Sequence, residues 1–483
     1  MVGRKNELRT ERDQLGEVQI PAGAYWGIAT ARSCQGLAVS TFPPHPRLLD
    51  AIILVKRSAA LANGDAGRIS ERIARAIAQA ADEIIAGQWR DHFIVDPFQP
   101  GSQTALLNNV DEVLANRAAE IIGGTVGTYS LVDPHKHVGL WQSPQDVFPS
   151  ATRLAILLCL RELEPIVLDM ERLLRRKALE FDKIIKVGRA HLRDGWPVTL
   201  AQEFNAFGSA VERSFRRISE ASLSLLELNV GGAVLLAGAE VDSTFMSRVA
   251  DKLSEVSGFR FKPAEDYFRM MHSMGDFVEF SSGLKELAVE LSKIAGDFRL
   301  LSSGPLSGLA EIRLPTVFCE PSCSLEGVLP DRCDPLLPES VNIVVFQVMG
   351  NDAVVTMAAQ SGQLEANFMM PVIAHNVLQS LDLLRQSMSI FNKKCIAGIA
   401  ADGLRCRELL ERSGALAVLL SRHLGREKTI ALIEEALATS KTLKDLVIEQ
   451  GIMTAEGFEK ALLCRPLGMP GAAGITGGEQ RLE

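Results

Sequence analysis

No basic run tracks along this chain, and its 51 Lys and Arg are outnumbered by 59 Asp and Glu, for a formal charge of −8. Nucleic acid is therefore not an expected partner, because phosphate binding needs clustered cations. Long apolar runs are missing as well. The stretch 154–160 is typical of the longest and is far too short to cross a bilayer, so no membrane partner is expected. Residues Met1 to Asp13 are charged and lack the apolar core of an export signal. Eight cysteines lie scattered over 483 residues with no dense, even-numbered framework, which predicts reduced thiols and a cytoplasmic protein. Period-two alternation is almost absent, and so are internal repeats, which excludes a sheet-based or repeat architecture.

What remains is helical. Apolar residues make up 47% of the chain, enough for a large core, and the length favours two or three domains. From Phe277 the apolar positions run Phe280, Leu284, Leu287, Leu291, Ile294, Phe298, Leu301. That three-four alternation is the seam of a long helix in a near-parallel bundle. A second stripe runs Phe204, Phe207, Val211, Phe215, Ile218, Leu225, and residues 150–180 are rich in good helix formers. The segment 341–370 is apolar nearly all round, as a helix at the centre of a bundle is. The fold class is all-α.

Breakers mark the joints. Prolines at 43, 44 and 46 separate an N-terminal arm from the first helices, and Asp133 to His137 reads as a loop. The irregular stretch 314–338 holds five prolines around Cys319, Cys323 and Cys333. Loops of that length are usually functional. The three cysteines lack paired Cys-x-x-Cys spacing and a nearby histidine, so no metal is expected there. Gly231, Gly232 and Gly238 do not follow the order of a dinucleotide cradle, and no cofactor is expected.

Several stretches together resemble the aspartase/fumarase superfamily, and aspartase more than fumarase. They are Asp13–Glu17 followed by Ile20-Pro21-Ala22-Gly23-Ala24-Tyr25-Trp26-Gly27; Glu112-Val113-Leu114-Ala115-Asn116-Arg117-Ala118; Arg299 to Pro305 followed by Glu311-Ile312-Arg313-Leu314-Pro315; Gln363-Leu364-Glu365; and Pro371 to Asn376. The resemblance implies three domains, 1–145, 146–398 and 399–483, with the middle one supplying long helices to the core of a homotetramer. It also implies active sites shared among three subunits and an elimination from a small dicarboxylate or amino-acid substrate. A base removes a proton next to a carboxylate, and the resulting dianion expels its leaving group. Stabilising that dianion is the largest electrostatic demand on such a site.

Carried over position by position, the motif is only partly met. Where the family has Gly-x-Gly-Thr-Ser-x-Asn-x-Asn, this chain keeps Thr104 and Asn109 but has Gln103, Ala105 and Leu107. Where it has Ser-Ser/Thr-Asn-Asp, the chain has Ser143-Pro144-Gln145-Asp146. His191 is kept after Ala190, which replaces a threonine, and the resemblance pairs that histidine with Glu339, an arrangement that raises imidazole basicity. His191 reads otherwise as a satisfied polar residue at a helix start. The catalytic loop, 314–338, departs most. Anchored on Pro335 and Pro338, Arg332 stands for the family's lysine and Asp334 for its asparagine, while the serine pair falls on Glu326-Gly327. Anchored on Leu314-Pro315, Ser322 falls near the serine position, and Ser322 or Ser324 becomes the candidate base. Glu326 is a further candidate base and otherwise a solvated loop residue. Arg332 suits a carboxylate bidentately, whereas Asp334 opposes an anion.

These residues support two functions. One is a lyase of aspartase type with diverged or reduced activity, eliminating ammonia or an amine from aspartate or a substituted succinate to give fumarate. The other is a catalytically inactive paralogue, a structural or regulatory subunit that assembles with an active partner chain.

Overall fold

The apolar stripes fold as helices, and strands are confined to short pairs. The computed structural model describes residues 7–238, 241–242, 244–315 and 335–463. The chain opens with an antiparallel hairpin, β1 (Leu8–Asp13) and β2 (Gly16–Pro21). Helices α1 (Ile28–Cys34), α2 (Pro46–Asp65), α3 (Glu71–Ile85) and α4 (Ser102–Ile121) follow. The long α5 (Pro144–Glu180) leads into a second antiparallel hairpin, β3 (Ile185–Ala190) and β4 (Arg193–Thr199). Then come α6 (Leu200–Ser222), β5 (Glu227–Leu228), α7 (Gly232–Leu236), α8 (Phe245–Ser257), β6 (Lys262–Pro263), α9 (Tyr267–His272) and α10 (Gly275–Leu301). After β7 (Ile312–Arg313) come α11 (Leu336–Gln360), α12 (Met370–Lys394) and β8 (Ala400–Ala401). The described chain closes on α13 (Gly403–Glu411), α14 (Ala415–Leu424), α15 (Arg426–Thr439), α16 (Leu443–Glu449) and α17 (Ala455–Leu463). β5 pairs parallel with β6 and β7 antiparallel with β8. The all-α expectation holds.

The described residues divide into two compact units, those within 7–172, 208–297 and 335–396 forming one and those within 173–207, 298–315 and 397–463 the second. In the first unit, α10 buries its seam as anticipated, from Phe277 and Phe280 through Leu284, Leu287 and Leu291 to Ile294. Beside it Arg153 of α5 is fully enclosed. Its Nη2 donates to Asp276 Oδ2 at 2.6 Å and its guanidinium lies 4.9 Å from the centre of the Phe277 ring. Burial lowers the Arg153 pKa, and Asp276 opposes that shift.

The two N-terminal motifs meet in this unit, which is why they occur together. Glu112 of α4 is buried, and its carboxylate accepts from the backbone N–H groups of Gly27 (2.8 Å), Ala29 (2.8 Å) and Thr30 (3.1 Å) and from the Thr30 hydroxyl (2.6 Å). It thereby caps α1, whose first N–H groups have no partner within the helix. Gly27 is required by crowding, since a Cβ there would meet the Tyr129 hydroxyl at 2.0 Å and Glu112 Oε1 at 2.8 Å. Asn116 Nδ2 donates to the Tyr25 carbonyl at 2.7 Å, and Asn116 Oδ1 accepts from Gly127 N at 2.7 Å.

Helix α11 departs from the expected all-round apolar core helix. The apolar segment 341–370 is not continuous, because α11 ends at Gln360 and α12 begins at Met370. Asn367 Nδ2 donates to the carbonyls of Ala358 (3.1 Å) and Ala359 (3.0 Å), closing the α11 terminus. Val341, Val345, Val348 and Val355 are buried, but Ile343, Phe346 and Met357 are 70%, 66% and 54% exposed. By length and hydropathy α11 is the one described helix that would pass for a membrane span.

In the second unit Phe181, Phe204, Phe207 and Phe298 interlock, with Phe204 stacked on Phe298 at 5.6 Å and edge-on to Phe181 at 5.1 Å. Helices α13 to α17 enclose a separate apolar cluster of Leu416, Leu432, Leu446 and Phe458, which Val187 of β3 enters.

Removing Asp276 strands the charge of the enclosed Arg153. Asp276→Ala is therefore expected to destabilise the protein by about 3–5 kcal/mol. The check is a shift of the urea-unfolding midpoint at neutral pH.

Candidate active site

Thr104, Ser143 and Gln145 all lie at helix N-termini in the first unit. α4 starts at Gly101, whose φ of +64° is left-handed and which supplies no side-chain cap. Thr104 is exposed on the first turn, whereas Ala105 and Leu107 are buried. Gln103 Nε2 donates to the Pro144 carbonyl, so the starts of α4 and α5 are tied together. Ser143 and Gln145 are bonded to one another, the Ser143 hydroxyl donating to Gln145 Oε1 at 2.5 Å.

Asn109 is placed differently from a substrate-facing amide. It is fully buried, its Oδ1 accepting from Ile94 N (3.2 Å) and its Nδ2 donating to the His92 carbonyl (3.1 Å). Its amide holds the loop before α4.

Beneath this surface lie charged groups that sequence reasoning missed. Lys56 of α2 and Asp111 of α4 are both buried and paired at 2.8 Å. Burial raises the Asp111 pKa, and Lys56 works against that shift. Asp146 is fully buried at the start of α5. Its Oδ1 accepts from Ser143 N at 3.0 Å, and its carboxyl is pushed up to about 7 by burial, opposed by the backbone N–H groups of Ser143, Gly231 and Ala233 and by Lys56. The glycine pair it faces is set by geometry. Gly231 has a φ of +90°, and a Cβ on Gly232 would meet Asn229 Oδ1 at 2.3 Å. The signal for Asp146 was present in the Ser143–Asp146 match, but burial of its carboxyl is not legible in a linear motif.

In the turn after Asp133, His137 Nδ1 accepts from the Asp133 backbone at 2.8 Å. Among the described residues no group of three or more His, Cys, Asp or Glu converges to hold a metal ion.

His191 belongs to the second unit and does not start a helix. It and Leu192, with φ of +56° and +59°, form the two-residue turn between β3 and β4, and the histidine is exposed. Positive φ at both turn positions matches the twist of the flanking strands, the usual geometry of a tight hairpin. The Asp194 carboxylate accepts from Gly414 N at 2.9 Å, fastening the hairpin to the start of α14. Glu339 lies in the first unit, half-buried in the first turn of α11. Ser322, Ser324, Glu326, Arg332 and Asp334 lie outside the described residues, as do Cys319, Cys323 and Cys333.

Similarity to known proteins gives the class that this helical scaffold belongs to. The lyase family profile matches residues 16–350. An aspartate ammonia-lyase from Bacillus subtilis is 37% identical over 98% of this chain and 99% of its own length. A class II fumarate hydratase from Thermosynechococcus vestitus is 39% identical over 94% of this chain and 96% of its own. A crystal structure described as a fumarate lyase:delta crystallin from Brucella melitensis superposes with a TM-score of 0.90 at 38% identity, covering 94% of this chain and 98% of that one. The chain belongs to the aspartase/fumarase superfamily and is a lyase by family.

The buried Asp146 gives this region a pH signature. Its carboxyl holds a proton up to about pH 7 when folded but only to about 4 when unfolded. Its contribution to stability is complete below about pH 4 and is lost as the pH rises through 7. Denaturant midpoints of the wild type are expected to fall between pH 5 and 8 more steeply than those of Asp146→Asn. Parallel profiles would contradict it.

Proposed function

We propose that this chain is a carbon–nitrogen lyase of aspartase type, releasing ammonia or an amine from aspartate or an N-substituted aspartate to give fumarate, with weak turnover of aspartate itself. The observation that carries the reading is full-length similarity to aspartate ammonia-lyases, together with Thr104, Ser143 and His191 kept at the matching positions. In the reaction a base takes the proton next to a carboxylate. The electron pair spreads into that carboxylate, and the C–N bond then breaks to give the alkene and the amine. Ser322 or Ser324 is the base, Arg332 and Thr104 hold substrate carboxylates, and His191 with Glu339 forms the proton-holding pair. Ser143, Gln145 and Asp334 are the remaining substrate-binding positions, and Asn109 supports the site from behind. The domains follow the family plan, 1–145, 146–398 and 399–483, in a cytoplasmic protein.

Weak aspartate turnover is supported by how the donors are used. Pro144 has no N–H, the Ser143 hydroxyl is taken by Gln145, and Ala105 and Leu107 carry no donor where the family has two. Losing one preorganised donor to a developing oxyanion costs about 2.7–4 kcal/mol, or roughly 10²–10³ in rate. The same substitutions favour a second reading, an inactive subunit that lends residues to an active paralogue. Absorbance assays of the purified protein with aspartate, malate and N-substituted aspartates separate the two. Fumarate release from a substituted aspartate, faster than from aspartate, is expected. Activity that appears only on adding a paralogue would favour the second reading. Arg332→Ala is expected to weaken binding of the accepted substrate by about 1.5–3 kcal/mol, read from the change in its dissociation constant.

We further propose a homotetramer. The exposed apolar residues Ile343, Phe346 and Met357 of α11 support it, since one protomer leaves them in water. Light scattering is expected to give a tetramer for the wild type and a smaller species for Ile343→Asp. A monomeric wild type at micromolar concentration would refute it.

A further inference from the structure

The second unit holds a cluster of four charges, Lys186 and Arg189 of the His191 hairpin with Glu203 and Glu311, of which Lys186 and Glu311 are buried. Glu311 and Lys186 are 0% and 2% exposed. Lys186 Nζ lies 2.8 and 3.0 Å from the two Glu203 oxygens and 2.9 Å from Glu311 Oε2. Arg189 grips Glu311 with both ends of its guanidinium, Nη1 to Oε2 at 3.0 Å and Nη2 to Oε1 at 2.9 Å. Two cations and two carboxylates leave the cluster neutral, the condition under which charge tolerates burial.

Residues 186 and 189 are an odd number of steps apart, so a regular strand would send them to opposite faces. Both reach Glu311 because the pairing slips. Val187 is opposite Pro197 but Arg189 is opposite Asp194, two steps on β3 against three on β4. Such bulges re-aim side chains. Glycine makes this one possible, since a Cβ on Gly188 would meet the Trp196 carbonyl at 2.7 Å and one on Gly195 would meet the Gly188 carbonyl at 2.8 Å. Glu311 itself is fixed at both ends of its peptide, its N–H donating to the Leu301 carbonyl (2.8 Å) and its carbonyl accepting from Asp402 N (2.9 Å). His191 follows Arg189 by two residues as the first position of the hairpin turn, so its place follows from where the hairpin is held.

We infer that Glu311, acting through Arg189 and Lys186, is the positioning set that holds His191 for the reaction, an inference that rests on the reading of His191 as a site residue. Neither Arg189 nor Lys186 touches substrate. They lock a bulged hairpin to an immobile carboxylate so that its turn cannot drift.

The test uses the full chain, with Arg189→Gln, Arg189→Lys, His191→Ala and the Arg189→Gln/His191→Ala double variant. Hydrogen-exchange mass spectrometry of Arg189→Gln is expected to show backbone amides within 185–199 exchanging at least about tenfold faster, with α15 to α17 unchanged. On the substrate the wild type turns over, Arg189→Gln is expected to lower kcat by about 10- to 100-fold while KM moves less than about threefold. Arg189→Lys should recover part of that loss, because it keeps the charge but not the fork. In the His191→Ala background the Arg189 substitution should cost nothing more, as for residues acting in series. Unchanged exchange in 185–199, or kinetic losses that simply multiply, would overturn the inference. Should the wild type eliminate nothing from any dicarboxylate, the proposed function falls, and the exchange measurement alone then decides whether the cluster holds the hairpin.

Discussion

Backbone N–H groups at helix starts have no partner inside their own helix, and the first unit is organised around satisfying them. Glu112 closes the start of α1 with three backbone contacts. Asp146 reaches back to Ser143 at the start of α5 and out to Gly231 and Ala233 at the start of α7. α4, like α1 and α7, follows a glycine that has no side chain to cap it, and Thr104 is exposed on its first turn. An uncapped helix start is where an anionic group is most readily accepted. The scaffold thus closes three helix ends with its own carboxylates and leaves the fourth open beside Ser143 and Gln145.

The carboxylates that do the closing are themselves buried, and burial of charge shapes the rest. Lys56 pairs with Asp111, Arg153 with Asp276, and Lys186 and Arg189 with Glu203 and Glu311. None of these pairs is an efficient source of stability, because desolvation consumes much of the Coulomb attraction. Their value is geometric, since a stranded buried charge is so costly that each pair tolerates one arrangement. At Asp146 the cations run short. Lys56 is already committed to Asp111, so this second carboxyl keeps its proton to about pH 7.

Much of the fold was legible because helical periodicity is a local property. The α10 seam from Phe277 to Leu301 and the α6 stripe appear where the spacing placed them. The motif match through Glu112 and Gly27 was legible as well, though not its cause, since a carboxylate capping another helix joins residues 85 positions apart. What spacing could not supply was direction. His191 reads from the sequence as a helix start, and it is a hairpin turn because Gly188 and Gly195 let the two strands cross at close range. Asn109 matched a substrate-facing position, but its amide turns toward His92 and Ile94. The break in the apolar segment 341–370 falls at Ser361-Gly362-Gln363-Leu364-Glu365-Ala366-Asn367, polar and glycine-bearing residues whose signal is masked by the apolar residues on either side.

The altered positions of α4 and α5 are fitted to their surroundings, which bears on what became of the site. Ala105 and Leu107 are buried at 4% and 3% exposure. A hydroxyl or amide left unpaired at either position would cost about 1–3 kcal/mol, so apolar residues there favour the folded state at the expense of donors. Gln103, where the resemblance has glycine, spends its amide N–H on the Pro144 carbonyl and spans the two helix starts. The reach comes from the glutamine side chain and the acceptor is a backbone carbonyl, while Pro144 is the first residue of α5, where its missing N–H costs the helix nothing. Stability and ligand-directed polarity compete for the same few positions. In this chain the balance has moved toward the scaffold on α4 and α5, while the uncapped start of α4 keeps its electrostatic character. On the proposed reading Thr104 holds one carboxylate and these positions offer less to a second, which is why an N-substituted aspartate, with binding surface beyond its carboxylates, is the substrate proposed.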